Sequence, residues 1–219
     1  MTLMTETPVR ASAVIIGAGI VGNSLAHHLA LLGWRDLVLV DKGPMPNPGG
    51  STGHASNFIF PIEYSKMMFE LTTDSTEQYQ ALGVFTQSGG LEVARTPARM
   101  QELRRRCTQA KSWGIPAELL GPGEVNKLVP YLDESVILGG AHFPTVGVVD
   151  SLRAGTLMRE SAQRSGALTV LAGTEGFTII TAGTRRMPAT GWMSWIKLKL
   201  SASYSVALMA LVCVTQSSE

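Results

Sequence analysis

The chain has 219 residues, of which 45% are hydrophobic and 16% are charged, and its formal net charge is +1. A chain so close to neutral lacks the basic surface that nucleic acids and anionic membranes attract, so neither is expected as a partner. Its two cysteines are too few for a disulfide framework, which favours a reducing compartment such as the cytoplasm.

The first predicted elements form a strand–helix–strand unit. Residues 1–11 contain no apolar run, and we expect a disordered tail there rather than a signal peptide. Short apolar runs at 13–16 and 37–40 then predict buried strands, and apolar residues at helical spacing over 20–32 predict a helix that ends before Gly33. This order within about 30 residues is typical of a βαβ unit with parallel strands.

Helices and short strands alternate after a long loop at 43–57, which is rich in Gly, Pro, Ser and Asn. The residue spacing predicts helices at 64–82, 96–113, 122–128 and 151–164. It predicts strands at 89–94, 115–120, 136–143 and 168–171. We expect Ser151 to be the N-cap of the last helix and the last strand to be the third of the parallel sheet.

The composition changes sharply after Glu175. No carboxylate occurs from 176 to 218, whereas four basic residues do. One domain rarely changes its composition so abruptly, so 176–219 are interpreted as an atypical tail. Its apolar stretch at 206–214 is shorter than the roughly 20 residues that a membrane span needs.

The first motif with chemical meaning is GAGIVG at 17–22, which lies between the first strand and the first helix. In such a motif Gly17 permits a tight turn, Gly19 lets the backbone approach a pyrophosphate, and Gly22 lets the helix pack closely on the sheet. Asp41 follows at the end of the second strand, where its carboxylate can accept ribose hydroxyls. The residues predict a dinucleotide site that fits NAD and FAD equally well, the alternative being a tight turn without a ligand.

The second motif is GSTGHASN at 50–57. The hydroxyls of Ser51 and Thr52 and the neighbouring backbone N–H groups are suited to a phosphate or a ring. His54 is accessible in a loop, and its neutral imidazole is a nucleophile near neutral pH. From the residues alone, a histidine that only forms hydrogen bonds is the more common case.

Several segments together resemble the FAD-dependent amine oxidoreductases of the DAO type, within them the dimethylglycine oxidases and dehydrogenases and the sarcosine dehydrogenases. The shared segments are GAGIVG, VLVDKGP, GGSTGHASN, GGLEVA, WGIPAELLGPGEV and VPYLDESVILGGAHFPTVGVVD. The resemblance covers roughly residues 12–175. It fails at Gly176, where relatives have a valine whose backbone holds the adenine.

The resemblance implies a bound FAD and a set of residues that contact it. The histidine of the G-S-T-x-H-A loop is joined to the flavin 8α carbon in this family, and His54 occupies that position. The pattern places Ile20 and Val21 at the pyrophosphate and Asp41 and Lys42 at the adenosine. The residues implied to surround the flavin are Ser51, Thr52, His54, Ala55 and Phe58.

The implied fold class is α/β, with a Rossmann-type FAD-binding domain and the start of an antiparallel α+β substrate domain. The FAD-binding domain is expected at 12–57 and 149–175, and the partial substrate domain is expected as an insertion at 58–148. The implied activity is oxidative demethylation of dimethylglycine or sarcosine by hydride transfer to the flavin, in a truncated copy. Folate is an implied partner of full-length relatives.

Two other functions stay open. The chain can be a non-catalytic regulatory or interaction fragment with the same fold, or an amino-acid oxidase with noncovalent FAD. No C-x-x-C or H-E-x-x-H motif occurs, so no metal site is predicted, and no catalytic residue is assigned. The remaining conspicuous residues are interpreted as structural: His27 and His28 in a helix, His142 in a strand, Cys107 in the core, and the run 104–106 as a solvated arginine face.

Overall fold

The structure, a computed structural model, describes residues 10–60, 65–173 and the two-residue strand 213–214. Most of the predicted tails at 1–11 and 176–219 lies outside these ranges. The chain divides into two units, of which the first contains 1–55 with 151–219 and the second contains 56–150. The domain boundaries expected from the sequence, after residues 57 and 148, stay a prediction.

The elements are numbered in chain order. The strands are β1 (Ala13–Ile16), β2 (Leu37–Asp41), β3 (Phe58–Ile59), β4 (Phe85–Gln87), β5 (Gly90–Ala94), β6 (Glu118–Leu120), β7 (Gly139–Phe143), β8 (Gly147–Val149), β9 (Leu168–Ala172) and β10 (Cys213–Val214). The α-helices are α1 (Ile20–Leu31), α2 (Lys66–Ala81), α3 (Pro97–Ser112), α4 (Pro122–Leu128) and α5 (Ser151–Arg164). Short 3-10 turns occur at Ser51–His54 and Glu134–Val136.

The first unit contains the predicted parallel sheet. Its strand order is β10-β1-β2-β9; β1 and β9 pair with β2 in parallel, and β10 pairs with β1 in antiparallel. Strand β2 is buried from Leu37 to Val40, as expected for a central strand covered on both faces. Helices α1 and α5 pack on the sheet through small residues such as Ala26 and Ala162. The βαβ prediction and the α/β class are therefore confirmed.

The second unit contains two antiparallel sheets, ordered β3-β8-β4 and β5-β7-β6. Helix α3 covers the second of these sheets with Leu103, Cys107 and Ala110. Those side chains pack around Phe143, which has no exposed surface. Cys107 is therefore a core residue, as predicted, and burial raises the pKa of its thiol. None of the helices in the described ranges is long and apolar enough to cross a membrane.

Some details of the predicted elements are wrong, and the strand predicted at 115–120, for example, begins only at Glu118. Ser151 is not the N-cap of α5 but its first helical residue, and its hydroxyl donates to the Thr52 carbonyl at 3.1 Å. The strand predicted over 136–143 begins only at Gly139, because Asp133 accepts a hydrogen bond from the Ser135 N–H and starts a 3-10 turn there. At Ser151 and at Asp133 a side-chain hydrogen bond overrides the local pattern.

The arginine run at 104–106 is not a uniform solvated face. Arg104 and Arg105 are exposed, as predicted, but the side chain of Arg106 is only 15% exposed. Its Nη1 lies 2.8 Å from the carboxylate of Glu92 on β5, and its guanidinium lies 5.2 Å from the centroid of the Phe60 ring. Arg106 is therefore part of the packing of the second unit.

His27 and His28 lie inside α1, as predicted, but their environments differ. Their rings meet edge to face at 5.2 Å. His28 Nδ1 lies 2.7 Å from the Ser24 carbonyl oxygen and can donate to it. His27 Nδ1 is buried and has no hydrogen-bond partner among the described residues. Burial, and then the neighbouring His28, lowers the pKa of His27.

This lowered pKa predicts a pH dependence of stability. The folded state favours neutral His27, whereas the unfolded chain binds a proton near the ordinary pKa of about 6.5, so stability falls as the pH falls below that value. We expect His27→Gln to reduce the loss of melting temperature between neutral and mildly acidic pH, measured by circular dichroism. His28→Gln removes only the smaller of the two causes and should reduce this loss less than His27→Gln does; equal slopes in all three proteins would contradict the assignment.

Candidate functional site

The glycine turn between β1 and α1 adopts a geometry that only glycines permit. Gly17 has a φ of 102°, which lies in the left-handed region, and its N–H donates to the Val40 carbonyl at 2.8 Å. A Cβ on Gly22 would lie 1.8 Å from the Gly17 carbonyl oxygen. The turn and the helix are therefore too close together for any side chain at position 22, as the motif predicts.

At the start of α1 the N-cap residue has no side chain that could cap the backbone N–H groups. Gly19 is the N-cap in an extended conformation and provides no capping side chain, and the first turn of the helix contains no acidic residue. The Ile20 N–H donates to Thr52 Oγ1 at 2.9 Å. A helix start with a positive dipole end and small neighbours is suited to a phosphate. Thr52 is thus brought to the predicted pyrophosphate position.

Asp41 ends β2 and turns toward the glycine turn. Its Oδ2 accepts the Ala18 N–H at 2.7 Å and its Oδ1 accepts the Gly43 N–H at 2.8 Å. These two bonds fix the orientation of the carboxylate beside the turn. The next residue, Lys42, is exposed. The predicted ribose acceptor is therefore held at the carboxyl end of its strand, beside the turn.

The second predicted motif forms the 3-10 turn at Ser51–His54. Thr52 is half-buried, whereas Ser51, His54 and Ala55 are exposed. The Ser151 hydroxyl on α5 holds the turn through the Thr52 carbonyl. A Cβ on Gly53 would lie 2.6 Å from the Asn47 side-chain oxygen, so the preceding loop packs closely against this turn. The imidazole of His54 is accessible at the end of a fixed turn.

The structure brings only part of the predicted site into direct contact. Asp41 and Thr52 bond to the turn that contains Gly17, Gly19 and Gly22. Phe58 lies in the second unit, where its half-exposed ring stacks on Phe60 at 5.7 Å. The exposed members of the predicted site are Val21, Lys42, Ser51, His54 and Ala55.

One residue of the turn was missed by the sequence analysis. Asn23 on α1 is 3% exposed, and its Nδ2 donates to the Ala18 carbonyl oxygen at 2.7 Å. The signal that could have found it is an amide side chain directly after the third glycine, on an otherwise apolar helix face. In the described ranges no cluster of three metal-type side chains occurs.

Comparison with known proteins identifies relatives of most of the chain. The family model for FAD dependent oxidoreductase (DAO) matches residues 12–188. The chain is 32% identical over 166 residues to dimethylglycine dehydrogenase, mitochondrial, of Mus musculus, covering 73% of this chain and 19% of the relative. It is 30% identical over 166 residues to the pyruvate dehydrogenase phosphatase regulatory subunit, mitochondrial, of Mus musculus, with the same coverage of 73% and 19%.

A solved structure shares the fold. The L-proline dehydrogenase from P. horikoshii superposes with a TM-score of 0.71 at 26% identity, covering 80% of this chain and 47% of that chain. The chain spans about a fifth of the length of the two mouse relatives, at 19% of each.

Proposed function

The chain belongs to the DAO family of FAD-dependent oxidoreductases, and from this membership we propose that it binds FAD at the start of α1. The supporting observation is the glycine turn, where Gly22 leaves no room for a side chain and Asp41 and Thr52 converge on the same backbone. The backbone at Ile20 and Val21 would contact the pyrophosphate. Asp41 and Lys42 would contact the adenosine.

The flavin would lie along the segment from Ser51 to Phe58, and His54 would be joined to its 8α carbon. The exposed position of His54 at the end of a fixed turn supports this proposal, because the imidazole can be reached without a rearrangement of the turn. Thr52 already provides one hydroxyl at the start of α1.

The proposed reaction is oxidative demethylation of dimethylglycine or sarcosine. When bound, FAD supplies the acceptor for a hydride from an N-methyl C–H bond. The similarity to dimethylglycine dehydrogenase supports this class of substrate, a small N-methylated amino acid. The part played by the chain itself is to hold the cofactor in place. The cytoplasm is the proposed compartment, although both mouse relatives are named as mitochondrial.

A second candidate function is regulatory. The similarity to the regulatory subunit of pyruvate dehydrogenase phosphatase favours it, because that relative matches this chain over as many residues as the dehydrogenase does. Such a protein needs the fold but no turnover. The two functions therefore differ in whether bound flavin is reduced by an amine.

An absorbance scan of the purified full chain at about 450 nm, before and after acid precipitation, tests these proposals. We expect yellow colour that stays in the pellet, because the flavin is bonded to His54. His54→Ala should release the colour to the supernatant, and the control His28→Ala should not. Anaerobic addition of dimethylglycine or sarcosine should bleach the band.

Other results of this experiment would favour one of the alternative functions or contradict the binding of FAD. Wild-type colour in the supernatant would contradict the His54 bond and favour an amino-acid oxidase with noncovalent FAD. A flavin that is bound but not bleached by either amine would favour the regulatory function. A chain that stays colourless with added FAD would overturn the proposed binding.

A further inference from the structure

Asn23 is a buried polar residue that the proposed function leaves without a role. Only 3% of it is exposed, and its Oδ1 has no hydrogen-bond partner among the described residues. A buried amide oxygen without a partner costs free energy, and asparagine is a weaker helix former than alanine. For the stability of α1 alone, an alanine would be the better residue at this position.

Among the described residues, the one hydrogen bond of the Asn23 side chain is directed at the glycine turn. Its Nδ2 donates to the Ala18 carbonyl oxygen at 2.7 Å. Because a trans peptide is planar, the carbonyl of Ala18 and the N–H of Gly19 point in opposite directions. Asn23 pulls the carbonyl toward the buried side of α1, so the Gly19 N–H is directed away from the helix.

The neighbouring peptides of the turn are fixed in the same way. The Gly17 N–H is held by the Val40 carbonyl at 2.8 Å, and the Ala18 N–H is held by Asp41 at 2.7 Å. Together with the bond from Asn23, these contacts set the orientation of successive peptide planes before a ligand arrives. Such preorganised donors bind an anion without a cost of reorientation.

Helix α5 provides the space that this arrangement needs. A Cβ on Gly155 would lie 3.0 Å from Asn23 Nδ2, which is closer than most side chains tolerate. A larger residue on α5 would therefore push the amide away from the Ala18 carbonyl. The absence of a side chain at Gly155 thus leaves the space that the Asn23 amide occupies.

We propose that Asn23 is a positioning residue for the pyrophosphate of the cofactor, acting through the Ala18–Gly19 peptide. This inference rests on the proposed binding of FAD at the start of α1. It predicts a split between two properties: Asn23→Ala weakens binding of a diphosphate, while the stability of the ligand-free protein changes little. The loss of the bond to the Ala18 carbonyl is offset by removal of the unpartnered Oδ1 and by the higher helix propensity of alanine.

Titration of the full chain with ADP and with FAD tests the inference, combined with urea unfolding of the ligand-free protein. We expect Asn23→Ala to lower the affinity for both ligands about tenfold, the effect of one well-oriented hydrogen bond to a charged group. The midpoint of unfolding should change little. Ser24→Ala, on the adjacent residue of α1, is the control and should change neither ligand affinity.

A second variant keeps the test independent of any one substitution. Gly155→Ala should weaken ADP binding when Asn23 is present and have no further effect on that affinity in the Asn23→Ala background. Wild-type affinity in Asn23→Ala would overturn the positioning role and leave the proposed function intact. A parallel loss of affinity and stability would also overturn it, as a merely structural effect. A wild-type chain that binds neither ADP nor FAD would overturn the proposed function, and this inference with it.

Discussion

Gly22→Ala should abolish cofactor binding and strongly destabilise the first unit. The new Cβ would lie 1.8 Å from the carbonyl oxygen and 3.1 Å from the carbonyl carbon of Gly17, and 3.4 Å from the Ile15 side chain. The two closest atoms belong to the backbone of a turn that also bonds to Val40. They cannot move without separating α1 from β1.

The expected loss of stability exceeds that from ordinary overpacking, which is about 1–3 kcal/mol. It is therefore a large share of the free energy of unfolding of a typical protein, which is about 5–15 kcal/mol. Urea unfolding and ADP titration of the full chain measure both effects. Gly123→Ala is the matched control: a Cβ there has only an ordinary contact at 3.6 Å, and Gly123 lies within α4, so this variant should be as stable as wild type or more stable. Equal behaviour of the two variants would contradict the close approach.

The second large effect is expected from Glu92 in the second unit. Its side chain is 19% exposed and forms ion pairs with Arg99 and Arg106. The Arg106 guanidinium in turn covers the ring of Phe60, which packs edge to face on the core residue Phe143 at 5.2 Å. One carboxylate therefore fixes two cations and, through one of them, an aromatic ring of the core.

Glu92→Gln should lower the free energy of unfolding by about 2 kcal/mol. Removal of one partner of a fully buried ion pair costs about 3–5 kcal/mol, and the side chain of Arg99 is 35% exposed, so solvent screens part of the interaction. Urea unfolding of the full chain followed by circular dichroism measures the loss.

Glu102→Gln is the matched control for this prediction. Glu102 also pairs with Arg99, at 2.7 Å, and that hydrogen bond is the main cause of its lowered pKa. It lies on the surface of α3, where an ion pair contributes little. The unfolding midpoint of this variant should stay at the wild-type value. A Glu102→Gln variant as unstable as Glu92→Gln would show that Glu92 has no special role.

The parallel sheet and its glycine turn could be predicted because their signals are local. Strands β1 and β2 and helix α1 have bounds within one residue of the predicted ones, since a buried strand is a short apolar run and the turn between them requires glycines at fixed spacing. The contact of Asp41 with this turn follows from its position at the end of β2.

The rest depends on partners that are distant in sequence. Strand β3 has two residues and forms only by pairing with β8, with Phe58 opposite Val148, so no periodic pattern can reveal it. Arg106 carries the same charge as its two neighbours on α3, and its contacts with Glu92 on β5 and with Phe60 distinguish it from them. The positioning role proposed for Asn23 likewise depends on the space that Gly155 leaves on α5.

The strand order of the parallel sheet also determines when each strand can pair with its neighbours during synthesis. One neighbour of β2 is β1, which leaves the ribosome just before β2 does. The other neighbour is β9, in which Leu168 lies opposite Leu37 of β2. Roughly 130 residues separate that pair, so at about 5–20 residues per second one edge of β2 waits on the order of ten seconds for its neighbour. The whole second unit, with its own core, emerges in this interval. The nascent chain is most open to strand-pairing aggregation during that wait, and slower translation would lengthen the exposure.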